Sequence, residues 1–507
     1  MNSSLSLARS TVPLWLTARR RMGLAMLLGV GLLTLTGCGP RRLRVDYKNF
    51  EMAYAETSNH EVLLNLARLQ NRDPTYFFKL GQITSQYRMN ATLAGNGSYI
   101  NSGTSAPGFG NVTGGGNPAL LYENDPSFTF IPVNDETNAQ LLLQPVPAET
   151  FYDLFQQGWR IDQLFRLMVE RVEYTVPNAS NTGCHVETLR NVPPPVFPEG
   201  MDRSGDRQYQ RQLSEYVTFL RVSALMYALQ KHGHLLLRGT SVFVPFDPNS
   251  YLVSGTVADK DAGGGHSTSA GPALGDSLSA SQKDASWELK DGRWLLGKTN
   301  VSAEFYLNPL ISPAGADKGG KYASDTAAIQ TEIESDADFK ELVTGPALKT
   351  TLASLANGFS IEGVPGAQAG DPCHASPHLY LRSLLGLMAA AAQEEAPFES
   401  LLKNHPIIPL SAGETRRPDM RFEDLVPAME QIPTIRIRKA SNQSTEPPLV
   451  ELNYNKTEYL IADASSPNLP ENQYWNRDMF RLIGQLTSQV TVDISKFPLP
   501  TTLQLHQ

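Results

Sequence analysis

The chain has 507 residues with 43 Lys and Arg against 51 Asp and Glu, a formal charge of −8, and only three cysteines. That length accommodates two to three domains. An acidic balance gives no electrostatic reason to bind nucleic acid, and so few cysteines limit covalent stapling to one intrachain bridge at most.

In chain order, the first feature is Arg19-Arg20-Arg21 followed by an apolar run from Met22 to Leu35, interrupted only by glycines and threonine. A basic segment, a short apolar segment and small residues at the cut are the parts of an export signal. The run is short of the ~20 residues that span a bilayer as a helix. It ends in Leu35-Thr36-Gly37-Cys38, which resembles the lipobox of bacterial lipoproteins. The resemblance implies cleavage between Gly37 and Cys38, diacylation of the Cys38 thiol and acylation of the new amino terminus. Each buried methylene contributes ~0.8 kcal/mol, so two or more acyl chains hold firmly where one does not. The covalent lipid on Cys38 is the only attached group expected, with no other cofactor. Gly39, not Asp, follows the cysteine, which suits sorting to the outer membrane with the body facing the periplasm. Removal of residues 1–37 takes four arginines and no acidic residue, so the mature charge becomes −12. An acidic body is repelled by anionic lipid, and the acyl chains must supply the membrane affinity. Arg41, Arg42 and Arg44 belong to a tether over residues 38–57.

The body is expected to be α+β, with mixed helices and mainly antiparallel strands in one or two subdomains. An N-terminal α+β region covers 58–258. Ser58 or Asn59 is expected to cap a helix with the stripe Val62, Leu63, Leu66, Ala67 and Leu69, stopped by Asp73-Pro74. Tyr76 to Leu80 and Ile83 to Met89 read as extended, with a bulge or bend at Gly81. Residues 94–118, rich in Gly, Ser and Asn, read as a flexible excursion, either a long hairpin tip or a disordered loop. Phe128 to Val133 resumes a strand. Helical pieces are expected at Glu136–Leu143, Ala148–Gln157 and Ile161–Tyr174, the last with Asp162, Arg166, Glu170 and Arg171 mainly off its apolar face. Asp153, Asp162, Glu149 and Glu170 have solvated or capping roles by default. Pro177 to Gly205 reads as a loop, and Arg207 to Lys231 as a long helix stopped at Gly233. Strands follow at Leu235–Arg238 and Ser241–Pro245.

Residues 259–283 form a second flexible segment rich in Gly, Ser and Ala, a linker or an insertion. The C-terminal α+β region, 284–507, opens with a hairpin turning on Asp291-Gly292 and a further strand at Ala303–Leu307. Helices are expected near 324–343, 346–356 and from Pro377 to Glu394. Strands are expected at Thr434–Arg438, at Val450–Tyr454 and Glu458–Ile461 around an Asn455-Lys456 turn, and at Val490–Ile494, with Asn476 capping a helix from Arg477 to Gln485. Gly81–Gln86 and Gly484–Gln489 echo each other over six residues, too few to indicate a duplication.

With Cys38 lipidated, Cys184 and Cys373 remain as an even pair in an oxidising compartment and are expected to form a disulfide. The alternative is a zinc site drawing on Cys184, His185, Cys373, His374 and His378. No Walker loop, nucleophile elbow or zinc-protease motif occurs; the second histidine after His60-Glu61 would fall on Leu64.

Three blocks carry a wider resemblance. These are Leu63-Leu64-Asn65-Leu66-Ala67-Arg68-Leu69 with Arg72-Asp73-Pro74 and Tyr76-Phe77, then Gly158-Trp159-Arg160-Ile161-Asp162 with Phe165-Arg166-Leu167, and Tyr380-Leu381-Arg382-Ser383-Leu384-Leu385-Gly386. Together they resemble a group of bacterial envelope lipoproteins without assigned activity, so the resemblance implies a location and no catalytic residue. The expectation is a lipid-anchored envelope protein with a structural, binding or scaffold role. Its partners are the lipid bilayer and an envelope protein. The alternative is a periplasmic hydrolase whose site is assembled from distant residues.

Overall fold

A computed structural model describes residues 44–45, 47–94, 117–132, 141–177, 183–196, 206–245, 251–253, 285–290, 293–308, 322–336, 339, 342–343, 345–361, 377–404, 421–439, 448–462 and 469–491. The lipobox residues Gly37 and Cys38, Cys373 and His374, and both flexible segments beyond their flanking strands lie outside these residues. The chain divides into two compact units, Met1–Val62 and Leu63–Gln507. Among the described residues no helix is long and apolar enough to cross a membrane.

In the first unit, residues 47–62 are helical. The helix therefore begins earlier than expected, and Ser58 and Asn59 lie inside it, because 47–57 contains neither Gly nor Pro to stop it. In the second unit the same helix (α1, residues 47–70 in all) ends at Asn71-Arg72, where Arg72 has φ 61° ahead of Asp73-Pro74. Asn65 fastens the chain that follows: its amide donates to the Tyr76 carbonyl at 2.8 Å and accepts from the Tyr76 N–H at 3.0 Å.

The body is α+β. Strands β1 (Phe78–Ala94) and β2 (Asn117–Pro132) pair antiparallel, with a register shift between Leu80 and Gln82 that places the expected bulge at Gly81. Helices α2 (Ala148–Gln156) and α3 (Ile161–Met168) lead into β3 (Val169–Pro177) and β4 (Cys184–Arg190). This corrects two expectations. The sequence from Ile161 to Tyr174 is half helix and half strand, because Val169 and Val172 are spaced for a helix face while Val172 and Tyr174 alternate as in a strand. The strand wins: Val172 and Tyr174 are buried, and a register shift that sets Arg171 opposite Tyr380 but Val169 opposite Leu381 skips the exposed Glu170 and leaves Val169 buried. Cys184 opens a strand where a loop was expected, since His185 to Arg190 pairs residue by residue with Arg171 to Val176.

Helix α4 (Arg207–Lys231) has the expected bounds. Asp206 caps it by accepting from the N–H groups of Gln208 and Tyr209, and Gly233 at φ 75° releases the chain. Strands β5 (Leu235–Pro245), β6 (Tyr251–Val253), β7 (Ala285–Lys290) and β8 (Arg293–Leu307) follow, then helices α5 (Tyr322–Ser335) and α6 (Pro346–Asn357). Strands β9 (Phe359–Ile361) and β10 (His378–Leu381) complete an eight-stranded sheet in the order β4-β3-β10-β9-β8-β5, with β6 and β7 also on β8. Every pairing is antiparallel except β9 with β10. Strands on both sides of residues 259–283 thus belong to one sheet.

Helix α7 (Leu384–Asn404) starts later than the expected Pro377 and runs past Glu394. Residues 378–381 alternate in burial and join the sheet, and Ser383 Oγ then accepts from the Gly386 N–H at 3.0 Å to start the helix. A short helix α8 (Phe422–Leu425) and a 3-10 turn (Ala428–Glu430) precede a small sheet. It is formed by β11 (Ile437–Lys439), β12 (Pro448–Tyr454) and β13 (Thr457–Ala462) in the order β11-β13-β12. Asn455 and Lys456 turn the β12–β13 hairpin with φ 51° and 64°. The last helix, α9 (Trp475–Thr491), includes Val490, expected to begin a strand. Asn476 is not its cap: its side chain bonds Arg436 and the Ala462 carbonyl, tying α9 to the small sheet. Gly484–Gln489 is helical while Gly81–Gln86 lies at a strand bulge, so the echo has no structural counterpart.

The core lies between α2, α3, α4 and the sheet. Phe165 meets Phe151, Phe219 and Phe305 at centroid distances of 6.2–6.3 Å, and all four rings are fully buried. Offset and edge contacts of this kind add about 0.5–1.5 kcal/mol per pair beyond burial.

Candidate functional site

All eight residues of helix α3 are buried. An eight-residue helix leaves most of its backbone groups without internal partners. Here side chains supply them. At the start, Gln230 accepts from the Ile161 N–H at 2.8 Å and donates to the Trp159 carbonyl at 2.9 Å. At the end, the Asn191 amide donates to the carbonyls of Phe165, Arg166 and Val169. Arg382, also buried, donates to the carbonyls of Arg166, Leu167 and Asn191. Burial lowers the Arg382 pKa from its ordinary value, with nearby carboxylates opposing.

The solvated or capping role expected of Asp162 is not what the structure shows. Asp162 and Arg166 are fully buried because α4 and α7 pack against α3, enclosing its polar side as well. Arg166 reaches Glu394 Oε1 at 2.8 Å, Glu430 Oε2 at 3.0 Å and the Ile432 carbonyl at 2.9 Å. The Tyr216 hydroxyl donates to the same Glu394 oxygen at 2.8 Å. Burial works against the Arg166 charge, yet Tyr216, Glu394 and Glu430 around it hold its pKa above the ordinary value. Burial pushes the Glu430 carboxyl up to about 7, against the pull of Arg166, and pushes Tyr216 up as well.

Toward the surface, Arg160 grips Asp162 through Nε at 3.0 Å and Nη2 at 2.5 Å. Its other nitrogen reaches the Glu471 carbonyl and Asn472, and its guanidinium lies over the rings of Tyr227 and Trp475 at 4.1 and 5.2 Å. Burial raises the Asp162 pKa, with Arg160 opposing. Arg160 is also where the interior opens. Gln157, Gly158, Trp159, Arg160 and Gln163 face Asp478 and Arg481 of α9 across a cleft of about 250 Å³. Gly158 takes φ 88°, a conformation that a side chain disfavours, and so turns the chain between α2 and α3. Gln485 of α9 donates to Gln157 at 3.0 Å across the same gap, and the Arg481 guanidinium lies 5.4 Å from the Trp159 ring centre.

The sequence-derived candidates do not converge here. Cys184 is disulfide-bonded, and its sulfur is therefore no thiolate ligand for zinc. His185 is exposed beside Glu187 on β4, whereas His378 is on β10, its Nδ1 2.6 Å from Ser360 Oγ of β9, and β3 lies between β4 and β10. The described residues hold no group of three His, Cys, Asp or Glu side chains suited to a metal. The cleft and the charge network behind it were missed in sequence. The signal for them was the Arg160-Ile161-Asp162 spacing next to Trp159, two opposite charges two residues apart at the mouth of a strongly apolar helix.

The chain matches no protein-family model, and no curated protein or solved structure is significantly similar to it. Its class thus rests on its own fold and site: an α+β body with a buried ion network that opens onto a polar cleft.

Proposed function

We propose that the chain is a lipid-anchored lipoprotein of the bacterial envelope, sorted to the outer membrane and facing the periplasm, whose body acts by binding or scaffolding. The observation that carries this reading is Leu35-Thr36-Gly37-Cys38 directly after a basic and then an apolar segment. The three acyl chains of such an anchor bind far more firmly than the marginal single chain. An acidic body, at −12 after cleavage, adds no attraction to anionic lipid or nucleic acid. An envelope protein remains the proposed macromolecular partner. The hydrolase alternative gains no support from the carboxyls that burial raises, since Asp162, Glu395 and Glu430 do not line the cleft.

Metabolic labelling with a palmitate analogue tests the anchor. The wild-type protein is expected to carry label and sediment with outer membranes, and Cys38→Ser to lose both label and sedimentation. Unlabelled wild-type protein released on lysis would sink the reading.

We also propose that the bond of Cys184 is made to Cys373, because lipidation of Cys38 leaves no other cysteine. Peptide mapping without reductant is expected to recover the two cysteine peptides as one linked species that reductant separates. Recovery of a free Cys373 thiol overturns the pairing.

A further inference from the structure

The cleft beside Trp159 has the parts of a ligand site that nothing in the fold uses. Gln163 lines it, is 2 % exposed, and its amide nitrogen is a buried donor with no hydrogen-bond partner. A buried donor left unmet costs about 1–3 kcal/mol, so such groups are rare unless something else completes them. Its backbone N–H is already satisfied by Asp162 at 2.9 Å, which leaves the side chain as the free group.

The charges of the cleft sort into spent and available. Arg160 is committed to Asp162, Glu471 and Asn472. Arg481 is exposed, has no ion-pair partner among the described residues, and is oriented only by the Trp159 ring. Asp478 lies three residues before it on α9 and also faces the cleft. Residues three apart on a helix are surface neighbours, about 5–6 Å between Cβ atoms. A positive and a negative group therefore stand side by side on α9, in the cleft that Gln163 also lines.

We propose that this cleft binds a small zwitterion of the α-amino-acid class, a free amino acid or a dipeptide that carries both an ammonium and a carboxylate. The ligand carboxylate is held by Arg481 and the Gln163 amide, and the ammonium by Asp478. A planar guanidinium suits a carboxylate because its donors match both oxygens. This gives the binding reading a ligand and rests on it. The anchor and the cleft nevertheless fail separately, because acylation is read by label and the cleft by titration.

The test is calorimetric titration of the intact, detergent-solubilised protein with the common L-amino acids, their D-enantiomers and glycylglycine, with acetate and methylamine as half-ligands. At least one zwitterion is expected to bind, and Arg481→Ala to weaken it at least tenfold. Asp478→Asn is expected to remove the preference for that zwitterion over its des-amino analogue. Gln163→Leu separates binding from folding: it removes an unmet buried donor, so it is expected to melt no lower than wild type while binding the ligand at least fivefold more weakly. No binding up to about 10 mM, well above the ~1 mM of a weak contact, overturns the proposal. So does binding that Arg481→Ala leaves unchanged, or acetate binding as tightly as any zwitterion.

Discussion

Arg166→Met is expected to destabilise the body by about 3–5 kcal/mol, measured as a fall in the urea midpoint at pH 8. Arg166 is fully buried, and it is the cation that faces both Glu394 and Glu430. A surface ion pair would contribute under about 1 kcal/mol, and its loss would leave both partners in water. Here the methionine fills most of the volume and leaves two carboxyls in the interior with their countercharge gone. The penalty is therefore the cost of the stranded acids more than the loss of attraction. Combining Arg166→Met with Glu394→Gln and Glu430→Gln is expected to restore much of the loss, because the triple variant buries no carboxylate at this point. A loss under about 1 kcal/mol for Arg166→Met alone, or no recovery in the triple variant, would show that the network is not what holds α3 in place.

The same helix shows what sequence reasoning reads well and what it does not. Local signals were sufficient where a single residue fixes the backbone. Gly233 ends α4 at a positive φ, Asn455-Lys456 turns a hairpin, and Asp73-Pro74 stops α1. Period was insufficient where two periods compete. Val169 and Val172 are spaced for one helix face, yet in β3 they pair with Leu381 and Leu379 across a register shift, and the decision is made by β4 and β10 on either side of β3. Likewise, His378 to Leu381 is drawn into the sheet by β3 and β9, contacts from residues about 200 and 20 positions away that no local window contains. Charge was misread for the same reason. Asp162 and Arg166 take their partners from Arg160, Glu394 and Glu430, and only the first of these is near in sequence. The cleft was missed because its two sides, Gly158-Trp159-Arg160 and α9, lie more than 300 residues apart.

Raising the pH from 5 to 7 is expected to lower the stability of the body. Burial pushes Glu430 and Glu395 up to about 7 from the ordinary 4.5, with Arg166 opposing at the first and the Ile437 N–H at the second. Between these values the folded chain keeps protons that the unfolded chain has released. The unfolding free energy therefore falls as pH rises through the window, by at most about 1.4 kcal/mol per pH unit for each group, and levels off above it. Asp162, also raised by burial, acts in the same direction. Glu430 Oε1 has no hydrogen-bond partner, a condition that a neutral carboxyl in the interior tolerates better than an ionised one. Urea midpoints at pH 5, 6, 7 and 8 check this: the wild-type midpoint declines to about pH 7, and Glu430→Gln or Glu395→Gln each flatten the decline. A midpoint that rises over the range, or a slope that neither variant changes, would sink the assignment. The two effects also couple. Without Arg166, Glu430 loses its main opposing charge and holds its proton to higher pH, so Arg166→Met costs least in acid and most at pH 8. A purely steric role for Arg166 predicts a penalty independent of pH.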